Sequence, residues 1–255
     1  AVDAGSVDLD GQQASITEDY FDLSGSARAT WFFDEDDHWN LFGGVSQGFR
    51  APNLSDLTRD TDFGGGQEIP APGLDPEHYV QTEIGIKAQY DDLSLQSSTY
   101  YTFVQDQILR VPGGGGGNVF PKQNSGDGFI TGIELGAAYD LTPAWTIFGN
   151  AAWLDGEVDV LLPSGRTVSD TISRRMPLMG QVGLRWEEPS KPFWAETVVR
   201  LAAKQDDLSL RDQADTTRIP PGGTPGYAVW NLRGGYDLNE NLRATVAVEN
   251  ILDED

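Results

Sequence analysis

Apolar and polar positions alternate along most of this chain with a period of two. In the segment from Tyr79 to Tyr90, Val80, Thr82, Ile84, Ile86, Ala88 and Tyr90 fall on one face. Gln81, Glu83, Gly85, Lys87 and Gln89 fall on the other. Successive side chains of a strand point to opposite sides, so this alternation predicts a strand with one apolar and one polar face. The pattern recurs in ten strand cores, at 23–33, 39–49, 80–90, 93–103, 129–139, 145–153, 178–186, 193–203, 228–236 and 242–252. Each is 9 to 11 residues long. That matches a tilted strand crossing a bilayer better than the five or six residues of an ordinary soluble strand.

The connections alternate as well. Short ones fall at 34–38, 91–92, 140–144, 187–192 and 237–241; long ones fall at 50–79, 104–128, 154–177 and 204–227. Tight turns at one end and long loops at the other are how an outer-membrane barrel is organised.

Charge sorts the two faces. With the first residue of each core pointing outward, the outward positions carry no Asp, Glu, Lys or Arg. The inward positions carry ten: Arg28, Glu83, Lys87, Glu134, Arg185, Glu196, Arg200, Arg233, Arg243 and Glu249. A Lys or Arg facing lipid at the bilayer midplane costs about 2–4 kcal/mol, whereas one facing a wet lumen stays solvated. A soluble sandwich also buries an apolar face, but that face would hold more Ile, Leu and Val than the Gly and Ala seen outward here. Aromatic residues separate the two architectures. Trp31, Phe33, Trp39, Tyr90, Tyr139, Trp145, Trp186, Phe193 and Tyr236 sit beside the short turns, all in the outward phase. Such a girdle suits the lipid–water boundary, where one part of each ring is apolar and another can hydrogen-bond. The predicted fold is all-β: an antiparallel transmembrane β-barrel.

Composition sets limits on function. The 255 residues include 40 acids and 17 bases, a net charge of −23. That is a poor match for a phosphate backbone, so no nucleic-acid partner is expected. Cysteine is absent, which excludes disulfides, thiolate metal sites and thiol nucleophiles. Two histidines, His38 and His78, are too few for a multi-histidine zinc site. Neither accompanies a Gly-x-Ser-x-Gly elbow, and carboxylate pairs arise by chance among so many acids. No catalytic residue, resident metal or cofactor is expected.

Three segments carry a family likeness. Ser46-Gln47-Gly48-Phe49-Arg50-Ala51-Pro52-Asn53-Leu54-Ser55-Asp56-Leu57 resembles a segment of TonB-dependent outer-membrane receptors. Leu74-Asp75-Pro76-Glu77 with Gln81-Thr82-Glu83-Ile84-Gly85 resembles their entry into the next strand. Val248-Glu249-Asn250-Ile251-Leu252-Asp253 is similar to a segment near their C-terminus. The resemblance implies a barrel of the 22-stranded outer-membrane receptor type, with about ten strands present. Residues 1–255 would be the C-terminal portion of that barrel, with the plug domain, the TonB-engaging segment and a last aromatic-ended strand lying outside it.

The implied function is active import of a bulky scarce nutrient such as a ferric siderophore, haem or cobalamin. The implied setting is the bacterial outer membrane, with membrane lipid, the TonB complex and a small-molecule ligand such as an iron chelate as partners. Haem-uptake members follow a related motif with a loop histidine. Here no His lies between Pro52 and Leu74, and His78 comes after, which weighs against haem.

Ligand-binding candidates are Arg50 and Asn53 at the loop end and Arg185, Arg200, Arg233 and Arg243 on the lumen side. These arginines suit an anionic ligand or the carboxylates of a plug. Loop 50–79, with Asp56, Asp60, Asp62, Glu68, Asp75 and Glu77, reads as a solvated acidic loop rather than a calcium site. Glycines 113–117 read as a flexible loop tip. Prolines 220, 221 and 225 restrain loop 204–227. Two rival classes remain: an acidic secreted β-sandwich that binds glycan or acts structurally, and a passive porin. Detergent dependence separates the sandwich from the barrel, and open-channel conductance would mark the porin.

Overall fold

The structure, a computed structural model, describes residues 2–9, 12–63, 66–111, 113, 119–187 and 189–254. In chain order its elements are β1 (Val2–Leu9), β2 (Gln12–Glu18), β3 (Gly25–Phe32), β4 (Trp39–Arg50), α1 (Leu54–Thr58), β5 (Thr61–Phe63), β6 (Gly66–Glu68), β7 (Glu77–Gln89), β8 (Leu93–Arg110) and β9 (Val119–Phe120). They continue with β10 (Lys122–Thr142), β11 (Trp145–Leu161), β12 (Thr167–Thr171), β13 (Met179–Glu187), β14 (Phe193–Ala202), α2 (Leu210–Ala214), β15 (Tyr227–Asn239) and β16 (Leu242–Val248).

All ten predicted cores form strands of one antiparallel sheet. Its order is β3-β4-β7-β8-β10-β11-β13-β14-β15-β16, so every neighbour in the sheet is also the next long strand in sequence. This up-and-down order follows from the short and long connections. The sheet is open among the described residues: β3 and β16 are not paired to each other.

The phase read from the sequence holds. Leu41, Val45, Ile84, Phe103, Ile133, Leu135, Ile147, Val182, Leu201, Leu232 and Val246 are large, apolar and exposed, all on the outward face. The aromatic girdle is present at the short-turn end. Trp145 pairs across the sheet with Trp186, and Phe193 with Tyr236. Trp186 and Phe193 rings lie 4.8 Å apart, Trp31 and Phe33 5.8 Å. Trp39 Nε1 donates to the Tyr90 hydroxyl at 2.8 Å.

Three strands run well past their predicted cores at the long-loop end. β8, β10 and β11 are 18, 21 and 17 residues long. Their extensions carry Gln105, Asp106, Gln107, Asn124, Asp127, Asp155, Glu157 and Asp159. Beyond the hydrocarbon the outward face meets water and carries acids, while Val104, Ile108 and Val158 are buried, so the phase of the cores is lost although the backbone ladder continues. β12 adds a further hairpin onto the extended β11.

The last core is shorter than predicted: β16 ends at Val248, not 252. Asn250 takes a positive φ of 51°. Its backbone N–H donates to Asn231 Oδ1 at 3.0 Å, and its side-chain oxygen accepts from the Glu254 N–H at 3.0 Å. An asparagine tolerates that left-handed geometry and ends the strand there.

Candidate functional site: lumen wall and loop mouth

The inner face is built from cross-strand rows. Arg185, Glu196 and Arg233 stand opposite one another on β13, β14 and β15. Glu196 is buried between the two arginines. Arg233 Nε donates to its Oε1 at 2.7 Å, and Arg185 Nη1 lies 3.4 Å from its Oε2. Arg185 also donates to Glu187 at 2.6 Å and stacks its guanidinium 4.4 Å from the Trp194 ring centre. Cations paired in this way orient the wall's field more than they attract a ligand.

Large inward rings lie over glycines of the neighbouring strand. Phe42 covers Gly85, and Phe148 covers Gly183; a Cβ on either glycine would fall within the ring's contact distance. Sequence alternation alone does not reveal this, because glycine counts as neither apolar nor polar in the pattern.

At the long-loop end the chain folds back into a small buried unit. Leu57 on α1 packs with Ala71, Leu74 and Ile108. Around it runs an ion network. Arg50 donates to both oxygens of Glu77, at 2.6 and 2.7 Å, and to Asp56 at 2.8 Å. Lys122 Nζ donates to Asp56 at 2.9 Å and lies 3.3 Å from Glu68. Glu68 also pairs with Arg110 and with Arg59. Glu68 and Glu77 are almost fully buried.

Loop 50–79 is therefore a solvated acidic loop only at Asp60, Asp62 and Asp75, which are exposed. Asp56, Glu68 and Glu77 are not solvated; cations on β4, β8 and β10 enclose them. Burial opposes ionisation of Asp56, but hydrogen bonds from Lys122 and Arg50 outweigh it and hold its carboxyl below the usual range. Glu77 follows the same balance: burial raises it, and Arg50, Tyr79 and the Ile108 N–H lower it further.

The six predicted residues fall in different places. Arg50 is committed to the network just described. Asn53 caps α1: its Oδ1 accepts from the Asp56 N–H at 3.0 Å, and Asp56 Oδ2 accepts from the Asn53 N–H at 3.1 Å. This is a reciprocal capping box. Arg185 and Arg233 meet at Glu196. Arg243 pairs with Asp237 near the short-turn end, far from the loops. Arg200 is exposed on the inner face and makes no ion pair among the described residues.

His78 is engaged, with Nε2 2.5 Å from Asp22 Oδ2 and Nδ1 3.7 Å from Asp106. The residues that sequence reasoning missed are Glu68, Glu77, Lys122 and Arg110 at the mouth. Only the Arg50–Glu77 pair had a readable signal, since the two face each other across β4 and β7. Glycines 114–117, expected as a flexible tip, lie outside the described residues.

Ten hairpin-ordered strands, uncharged and aromatic-girdled on one side and charge-bearing on the other, with loops folded over one end, define the wall of an outer-membrane barrel. The profile of the family described as "TonB dependent receptor-like, beta-barrel" matches residues 2–251. The chain belongs to this family, which is one of outer-membrane transport receptors and not of enzymes.

Similar proteins include the catecholate siderophore receptor Fiu of Escherichia coli K12. It is 23% identical over 196 residues, covering 75% of this chain and 24% of that protein. The pesticin receptor of Yersinia enterocolitica is 27% identical over 116 residues, covering 43% of this chain and 15% of that one. Among solved structures, the copper transporter OprC superposes with a TM-score of 0.69 at 24% identity, covering 90% of this chain and 33% of that chain. The chain thus spans about a third or less of the length of each.

Proposed function

We propose that this chain is part of the wall of a receptor that imports an iron chelate across the outer membrane, with energy delivered through TonB. The observation that carries this reading is the mouth. Buried ion pairs fold the long loops into fixed shapes above an arginine-bearing lumen wall, which is a preorganised capture surface and not the open vestibule of a passive pore. Siderophore and iron receptors among its relatives support iron as the cargo. The engaged His78 speaks against haem. The ligand would bind without covalent change, and a plug beneath the mouth would move when TonB pulls on it.

The test is uptake of radiolabelled ferric chelates by an iron-starved strain that expresses the full-length receptor as its sole iron receptor, with and without TonB. Uptake that needs both supports the proposal. Equal uptake without TonB rejects energy coupling, and growth on no ferric chelate rejects iron as the cargo.

A further inference from the structure

His78 lies outside the ion network of the mouth, on the other side of the wall. It shares the outward phase of Val80 and Ile84, with Phe49 and Gln105 opposite it on β4 and β8. It sits just past the uncharged band, at the long-loop end that faces the medium in outer-membrane barrels. Both of its ring nitrogens face a carboxylate. Nε2 is 2.5 Å from Asp22 Oδ2, and Nδ1 is 3.7 Å from Asp106 Oδ2. A neutral imidazole has a single N–H, so one of the two carboxylates would meet a lone pair. The imidazolium, with an N–H on each nitrogen, suits both.

Asp106 is brought there by a local distortion. It lies between Val104 and Ile108, which are buried, and unbroken alternation would turn it inward with them. The β8–β10 register shifts on both sides of Gly126, and Asp106 takes a positive φ of 57°. A bulge of this kind re-aims a side chain, and a non-glycine residue in the left-handed region is uncommon. Neighbours hold the distortion in place. The Asp106 N–H donates to Asp127 Oδ1 at 3.1 Å, and Asn124 Nδ2 donates to the carbonyls of Asp106 and Asp75 at 2.8 and 2.7 Å.

Asp22 comes from elsewhere in the chain, the segment 19–24 that joins β2 to β3. β4 separates β3 from β7 in the sheet, so the Asp22–His78 contact reaches across a strand. Tyr20 of the same segment has its hydroxyl buried. Burial raises the pKa of that hydroxyl, and Glu18, Asp75 and Asp56 raise it further, which puts the ring beside loop 50–79. The backbone of β1 approaches α1 in that loop. The β1–β2 loop is therefore laid on the first half of the mouth, and its base is fastened to the wall at His78.

The charges around the imidazole are of one sign. Asp22 and Asp106 face it directly, and Asp127 and Asp75 stand behind Asp106. Arg50 and Glu77 close on each other in the opposite phase. The Leu23 N–H and His78 hold the Asp22 carboxyl below the usual range, so it stays ionised as the medium turns mildly acidic. Among these side chains only a histidine changes charge between about pH 5 and 8.

We propose that Asp22, His78 and Asp106 form a pH-sensitive latch for the β1–β2 loop. In a mildly acidic medium the charged imidazole ties segment 19–24 to β7 and β8, and the loop stays down. As the medium turns alkaline the imidazole loses its charge, one carboxylate loses its partner, and the loop lifts more often. The direction follows from a histidine that gains anionic partners on closing: the latch holds at the lower pH and fades as the proton leaves. It holds whatever cargo the receptor carries.

The full-length receptor in detergent is followed by hydrogen exchange, corrected for the intrinsic rate, at about pH 5.5 and about pH 8. Peptides within 12–24 are expected to exchange about fivefold faster at the higher pH, as loss of charge assistance in a hydrogen bond allows, while the strand cores do not change. H78Q cannot be charged and D22N removes the anion, so each should exchange at the wild-type alkaline rate at both pH values. H38Q, at the short-turn end where that ring stacks on Tyr90, should keep the wild-type dependence. Heat-modifiable gel migration confirms that each variant is folded, and either of H78Q and D22N suffices to decide.

Exchange within 12–24 that ignores pH in the wild type, or that keeps its pH dependence in H78Q or D22N, overturns the latch.

Discussion

Single residues here are constrained by what lies directly across the sheet. Gly183 has the Phe148 ring where a side chain would be, whereas Gly136 has open space around its missing Cβ. A G183V substitution should force Phe148 out of its rotamer at a cost of about 1–3 kcal/mol. G136A should be neutral. The temperature at which heat-modifiable migration is lost reads both, and equal temperatures for the two variants would show that the ring does not need the glycine.

Acid sensitivity is also set residue by residue. The folded pKa values of Asp56 and Glu77 lie below their ordinary range, even though burial opposes it. Their contribution to the mouth is therefore complete above the unfolded values of about 4 and fades as pH falls through the lowered folded ones. Hydrogen exchange in loop 50–76 should accelerate at pH 3 relative to pH 7, after correction for the intrinsic rate, while the strand cores stay protected. Loop and strands loosening together would remove this network as the cause.

At the scale of elements, the solvent on each side of a strand decides what that strand tolerates. Ile133 and Glu134 are consecutive on β10, and both are exposed, one to lipid and one to the lumen. I133R should cost about 2–4 kcal/mol and lower the yield of assembled barrel, whereas E134R should assemble normally. Similar yields would mean the outward face is not in hydrocarbon.

That same contrast made the ten strands legible in sequence, because a side without charge and a side with charge repeat every second residue. Legibility ended where the contrast ended. In the extensions, acids such as Asp127 and Asp155 take the outward phase that the cores keep uncharged, so the rule that marked the cores ends there. α1 and α2 did carry a local signal, Asn53-x-x-Asp56 and Ser209-x-x-Asp212, each placing a capping side chain three residues before an acid. A five-residue helix is too short for apolar periodicity to add to it. Of the candidate site, the inward arginines were visible from phase alone. The pairs at the mouth were not, because Lys122 and Asp56 are 66 residues apart in sequence and only the folded loops bring them together.

The whole molecule gains its shape from two kinds of solvent and not from a central core, and its mouth divides into two separately held halves. One half ties loops 50–76 and 110–122 together through Asp56, Glu68, Glu77, Arg50 and Lys122. The other ties loops 161–178 and 203–226 together through Asp170, Asp212 and Asp215. Where the halves approach, the Arg211 guanidinium meets both signs: burial, Arg110 and Arg174 depress it, while Asp212 and Glu68 raise it. The ion pairs described for each half stay within that half.

The halves should therefore open independently. Lys122 is mostly buried and lies beside both Asp56 and Glu68, so K122M leaves two enclosed carboxylates short of a partner. Asp56 keeps Arg50 and Glu68 keeps Arg110 and Arg59, so the cost falls below the about 3–5 kcal/mol of a fully orphaned buried charge but still raises the open population of the first half. In the full-length receptor, K122M should speed proteolytic nicking within 58–66 at least tenfold. The same variant should leave nicking within 206–218 unchanged. Faster cleavage of both loops would show that the mouth moves as one lid, coupled across the seam where Arg211 meets Glu68.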